Sequence, residues 1–188
     1  MMITRPFPRR LRRSAKRKMD NRIFMETIRN ITAADARELL EIYGHYVLNT
    51  TFTTEEEIPS VEEMAARVER VTQKFPWIGF ESDGKLLGYC YADTFRTRVA
   101  WHRTAEVSVY VRPGVTHRQI GTRMYERLFQ MLKDNREIHT LIASITLPNE
   151  QSIRLHESFG FIKKAHLPEV GFKFGCFMDV GLWHRKSS

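Results

Sequence analysis

Disulfides, clustered metal ligands and membrane-length apolar runs are what this 188-residue chain lacks. Its two cysteines, Cys90 and Cys176, each set in an apolar, strand-like context, are too few for a disulfide framework or a cysteine zinc site. They suit a reducing compartment, so the expectation is a cytoplasmic protein. The seven histidines fall in no HExxH or comparable spacing, so no metal is implied. No stretch approaches the ~18 apolar residues of a bilayer-crossing helix, and no period of 20–50 residues marks a solenoid. With 42% hydrophobic and 28% charged residues, the chain has the balance of a single globular domain.

Charge is unevenly placed. The net charge is +8, and residues 1–25 hold nine Lys/Arg against one Asp. The remaining residues balance at twenty-one basic and twenty-one acidic, so the basicity belongs to a tail and not to the folded body. Residues 1–25 have no apolar core of a secretory signal and are expected to be solvated and disordered. Such a tail can contact nucleic acid or an anionic surface, or act as an Arg-rich targeting segment. The simpler expectation is an extension ahead of a domain spanning 26–186, with Met25 able to serve as a start.

From residue 26 the periodicities become regular. Residues 26–31 read as a strand, and Thr32 with Asp35 opens a helix to about residue 48. Ser60 with Glu63 forms a capping box for a second helix to about residue 74. Residues 77–82 and 85–93 flank Asp83-Gly84, a tight-hairpin signal. In the next strand Val107, Val109 and Val111 alternate with Glu106, Ser108 and Tyr110, giving two chemically distinct faces. Met124, Leu128, Met131 and Leu132 fall at helical spacing, and residues 141–145 read as a short buried strand. Asn149 starts a helix that Gly160 stops, and two strand-like stretches follow, at 161–170 and 176–185. The order βααβββαβαββ predicts a mixed α/β (α+β) domain with helices covering one sheet.

Four constellations could carry chemistry. The segment 116–121 links a strand to a helix N-terminus, where unpaired N–H groups suit a phosphate, though a plain connection reads equally well. Asn149 and His156 lie seven residues apart on one helix face; a cap and a satisfied imidazole are the bland alternatives. Glu106 is a general-base candidate or a carboxylate facing water. Arg96, Arg98 and Trp101 form an anion-recognition candidate or a set of loop side chains.

The strings FTTEE, KFPWI, TFRTRVAWHRTAEVSVYV, LPNEQSIRLHESFGF and GFKFGCFMDVGLW together resemble the GNAT superfamily of acyl-CoA-dependent N-acyltransferases, and within it the phosphinothricin N-acetyltransferase family. The resemblance spans residues 27–183 and includes a histidine, His156, where the wider superfamily usually has tyrosine. It implies a GNAT fold: a mostly antiparallel sheet splayed at its centre and flanked by about four helices. It also implies acetyl-CoA as co-substrate, no metal, a small amino-acid-like acceptor and a homodimer. By resemblance, Glu106 and His156 are the catalytic pair. Acetyl-CoA would be held by Val109, Val111, His117, Arg118, Gln119, Ile120, Gly121, Thr122 and Asn149, and the acceptor by Phe52, Arg96, Arg98, Trp101 and Tyr110. One departure stands out. The superfamily signature Gln/Arg-x-x-Gly-x-Gly/Ala reads here Thr116-His117-Arg118-Gln119-Ile120-Gly121, so its leading residue and first glycine are replaced. Gln119 is expected to offer its N–H from an ordinary backbone conformation, with His117 or Arg118 supplying the missing cationic contact. A weakened cofactor cradle, and at the extreme a non-catalytic acyl-CoA-binding module, is what this departure implies.

Overall fold

The computed structural model describes residues 25–115, 119–135 and 137–187. The basic tail and residues His117 and Arg118 lie outside them. Seven strands form one sheet in the order β1-β2-β3-β4-β5-β7-β6. In chain order they are β1 (Glu26–Asn30), β2 (Trp77–Ser82), β3 (Lys85–Thr94), β4 (Thr104–Val111), β5 (Thr140–Leu147), β6 (Ile162–Lys173) and β7 (Cys176–Lys186). The helices are α1 (Ala36–Asn49), α2 (Val61–Thr72), α3 (Ile120–Asp134) and α4 (Glu150–Ser158). The element order is the one that the periodicities predict. Among the described residues, no helix is long and apolar enough to cross a membrane.

Local chemistry sets the boundaries. The Thr32 N–H donates to the Asp35 carboxylate at 2.8 Å, and a 3-10 turn at Ala33–Asp35 leads into α1. The Ser60 hydroxyl accepts the Glu63 N–H at 3.1 Å at the start of α2. Asp83 and Gly84 adopt φ of 51° and 75°, the left-handed pair required by a tight turn that matches strand twist. Every strand pairing is antiparallel except β4 with β5.

The two faces of β4 pack against different helices. Val107, Val109 and Val111 share a face with Ala92, Cys90 and Gly88 of β3, because these are ladder partners. That face meets α3: a Cβ added at Gly88 would lie 3.1 Å from Met124 and 3.2 Å from Ile120. The opposite face carries Glu106, Ser108 and Tyr110, and Tyr110 packs edge-on against Tyr43 and Tyr46 of α1, both at 5.1 Å between ring centroids. Buried Met124, Leu128 and Leu132 confirm the stripe expected of α3, and Met131 packs at its margin. Cys90 is fully buried, which pushes its thiol pKa well up and leaves it a core side chain.

Candidate active site

The parallel β4–β5 ladder is short. It pairs Thr104 with Thr140, Ala105 with Leu141 and Glu106 with Ile142, and then the strands diverge. Odd-numbered residues of this segment direct their backbone groups toward β5, as the Arg103 carbonyl does in accepting the Thr140 N–H at 3.1 Å. Arg112, on the other parity, donates to Leu87 of β3 at 2.7 Å. The amides of Val109 and Val111 therefore face the widening gap, a sheet edge inside the molecule. A cleft of about 540 Å³ fills this gap.

Val109, Val111, Gln119, Ile120, Gly121, Thr122 and Asn149 all line the cleft, as do Phe52, Tyr110 and His156. The first turn of α3 contributes N–H groups with no intrahelical acceptor and no side-chain cap. Their partial positive charge favours an anion at the mouth of the cleft. Gly121 has a packing role as well, since an added Cβ would lie 3.2 Å from Leu155 of α4. Asn149 is both cap and lining: its side-chain oxygen accepts the Ser152 N–H at 3.1 Å while it borders the cleft.

Gln119 departs from the expected backbone. Its φ is 49° and its ψ 31°, so it occupies the left-handed region that a glycine at this signature position adopts freely. Gln119→Gly is expected to leave the domain as stable or up to ~1 kcal/mol more stable, strain relief outweighing the added chain entropy. Gln119→Val, β-branched in the same conformation, should lose more than ~1 kcal/mol. Thermal melts of the two variants beside the parent chain check both signs.

Glu106 sits at the apex, in the last ladder pair before the strands part. Burial raises its pKa; the hydroxyl of Ser144 on β5 opposes this by hydrogen bonding, the charge of Asp93 reinforces it, and the Ser144 backbone opposes it further. A carboxylate raised in this way is a better proton acceptor than one in water.

His156 is 3% exposed and its two nitrogens have different partners. Nδ1 lies 2.8 Å from the Ser152 carbonyl, which can only accept, so Nδ1 carries the proton. Nε2 lies 2.9 Å from the Tyr125 hydroxyl and must accept from it. Burial lowers the imidazole pKa, partly offset by the Ser152 carbonyl, and keeps the ring neutral. Burial likewise keeps Tyr125 protonated, with a pKa well above the usual tyrosine value. Glu106 belongs to the α1 face of β4 and His156 reaches the gap from the α3 side, so the two approach the splay from opposite faces of the sheet.

Arg96, Arg98 and Trp101 are not among the side chains lining the cleft. They follow the end of β3, at the Glu106 end of the gap, and the Arg96 guanidinium stacks over Phe95 and Trp101, each at 5.1 Å. Other positions escape a reading of the sequence. Ser144, Tyr125 and Tyr46 have the spacing of ordinary strand and core residues, and only tertiary contact gives them partners in the site. Lys173 is another: its side chain is buried, and Nζ donates to the Thr53 carbonyl at 2.9 Å, fastening the segment that carries Phe52 to β6.

Splayed strands, a gap-facing amide edge and an uncapped helix N-terminus at its mouth define an acetyltransferase of the GNAT class. Residues 28–182 match the family described as acetyltransferase (GNAT) domain, and the chain belongs to that family. It is 34% identical to a phosphinothricin N-acetyltransferase of Streptomyces viridochromogenes over 84% of this chain and 86% of the relative. It is 32% identical to an L-amino acid N-acyltransferase of Escherichia coli, over 82% of this chain and 90% of the relative. Among solved structures it is similar to a GNAT superfamily phosphinothricin acetyltransferase from Sinorhizobium meliloti in complex with AcCoA. That likeness has a TM-score of 0.81 and 33% identity, covering 86% of this chain and 88% of that one.

Proposed function

We propose that this chain is an acetyl-CoA-dependent N-acetyltransferase that acetylates the amino group of a small amino-acid-like acceptor. The observation that carries the reading is the gap between β4 and β5. It offers the Val109 and Val111 amides to an extended, amide-bearing arm and α3 N–H groups to a phosphate, and Glu106, half-buried and outside the cleft lining itself, stands at its inner end in the last ladder pair. The solved relative in complex with AcCoA supports the same cofactor here. Asn149 and the segment 119–122 would hold it, with His117 and Arg118 as further candidates beyond the described residues.

The chemistry assigned to these residues is direct transfer. An acceptor amine is mostly ammonium at neutral pH, and Glu106 takes one of its protons, leaving the nitrogen lone pair free to form the C–N bond at the thioester carbon. A gap-facing N–H such as that of Val109 stabilises the oxyanion. Collapse breaks the C–S bond, and the thiolate leaves with a proton as free CoA. His156, neutral and buried, keeps α4 and its lining residues in place and is the second candidate for proton handling. Phe52 and Tyr110 give the acceptor an aromatic wall, and Arg96, Arg98 and Trp101 are assigned to an acceptor carboxylate or phosphinate at the Glu106 end.

Phosphinothricin, methionine sulfone, methionine sulfoximine and ordinary L-amino acids are the proposed acceptors. Thiol release from acetyl-CoA across that panel, with polyamines as controls, tests the reading. Turnover on at least one amino-acid-like acceptor is expected, and a flat response to all of them overturns it. The left-handed Gln119 favours one second reading, an acyl-CoA-binding module without turnover. Calorimetric binding without thiol release would establish it. A cytoplasmic homodimer belongs to the same proposal. Exposed Val170, Phe172 and Phe177 on β6 and β7 support self-association. Light scattering after gel filtration measures it.

A further inference from the structure

The gap-facing edge of β4 is already occupied at one position. The Tyr46 hydroxyl donates to the Val111 carbonyl at 2.7 Å, and the Val111 N–H points back to the same phenol oxygen at 3.4 Å. A single side chain thereby meets both the acceptor and the donor that a neighbouring strand would meet. Tyr46 reaches this point from α1, braced edge-on by Tyr110 at 5.1 Å and by its neighbour His45 at 5.7 Å between ring centroids. It also lines the cleft. Among the described residues none bonds to the Val109 amide, two residues nearer to Glu106 and beyond the end of the β4–β5 ladder.

An extended arm that adds to this edge finds Val109 available and Val111 taken. We infer that Tyr46 is an internal competitor for the cofactor arm: its phenol stands in for the arm's amide on Val111 and is displaced when the arm pairs with β4. This rests on the proposed use of acetyl-CoA and adds to it a residue that sets cofactor affinity. The phenol satisfies the half-buried edge before binding, and breaking its bond subtracts from the affinity gained when the arm's own amide takes its place.

Tyr46→Phe keeps the ring and removes only the hydroxyl. Titration calorimetry with acetyl-CoA on the full chain is expected to show Tyr46→Phe binding about three- to tenfold more tightly than the parent, the range of one ordinary hydrogen bond. Adenosine 3′-phosphate 5′-diphosphate, which has no pantetheine arm, is expected to bind both proteins equally. The melting temperature of the free variant should not rise, since the edge has lost its cap. A residue with a purely structural role would lose stability and affinity together. Equal or weaker acetyl-CoA binding by the variant overturns the inference, as does the same gain for the armless nucleotide. If the parent chain binds no acetyl-CoA at all, the proposed function falls and this inference with it. If the parent binds and the variant binds no more tightly, only the inference falls.

Discussion

Glu106→Gln is expected to lower turnover by about 10²- to 10⁴-fold while acetyl-CoA still binds, because a carboxamide cannot accept the acceptor's proton. The same substitution should leave the fold as stable as the parent or more stable at neutral pH. The sign follows from linkage. Burial raises the pKa of Glu106 in the folded state, so the folded chain holds this proton more tightly than the unfolded chain. Stability associated with the protonated group is present at low pH and lost as pH rises through the folded pKa. A neutral isostere does not incur that loss. In the parent, the acid limb of the kcat/KM profile should lie above the ordinary carboxylate range, and in Glu106→Gln that limb should disappear. Initial rates from pH 5 to 9 and parallel thermal melts measure both effects. Unchanged turnover removes Glu106 from the base role, and a large loss of stability makes it a structural residue.

His156→Ala is expected to cost about 2–4 kcal/mol of stability, which for a domain of this size is a fall in Tm on the order of 5–15 °C. The substitution opens space between Tyr125 and Phe161, whose rings lie 5.2 and 5.3 Å from the imidazole. It also leaves the buried Tyr125 hydroxyl without its acceptor. Tyr125→Phe is the milder comparison: it removes the donor to Nε2 and leaves the Nδ1 bond to Ser152. Here the pH dependence has the opposite sense to that of Glu106. Burial lowers the His156 pKa in the folded state, so its contribution is fully present above the unfolded value near 6.5 and is lost as pH falls from there through the folded pKa. Urea melts between pH 5 and 8 should show the parent losing stability on the acid side, with a shallower loss in His156→Ala. If His156→Ala melts like the parent but loses turnover, the imidazole acts in proton transfer and its bond to Tyr125 is incidental.

These two side chains show why the sequence suffices for some conclusions and not for others. The order of the elements was legible because the capping box at Thr32, the serine cap at Ser60, the turn at Asp83-Gly84 and the two-residue alternation around Val109 are local: each is set by backbone geometry within a few residues. The resemblance to the GNAT family was legible for the same reason, in short strings. Period two also fixed that Glu106 and Val109 lie on different faces of β4.

Only the tertiary structure decided which partner each face meets. Spacing made Tyr125 and Tyr46 indistinguishable from core aromatics; contact makes one the donor to His156 and the other a cap on Val111. Nothing local signals that Gln119 turns left-handed at the start of α3, against the residue's own preference. Arg96 and Arg98 read as an alternating pair in the sequence, yet they lie in the loop after β3, outside the cleft lining. Periodicity assigns a side chain to a face of its own element. The distance from that face to a residue a hundred positions away depends on how strands splay and helices pack, and it emerges when the whole chain has folded.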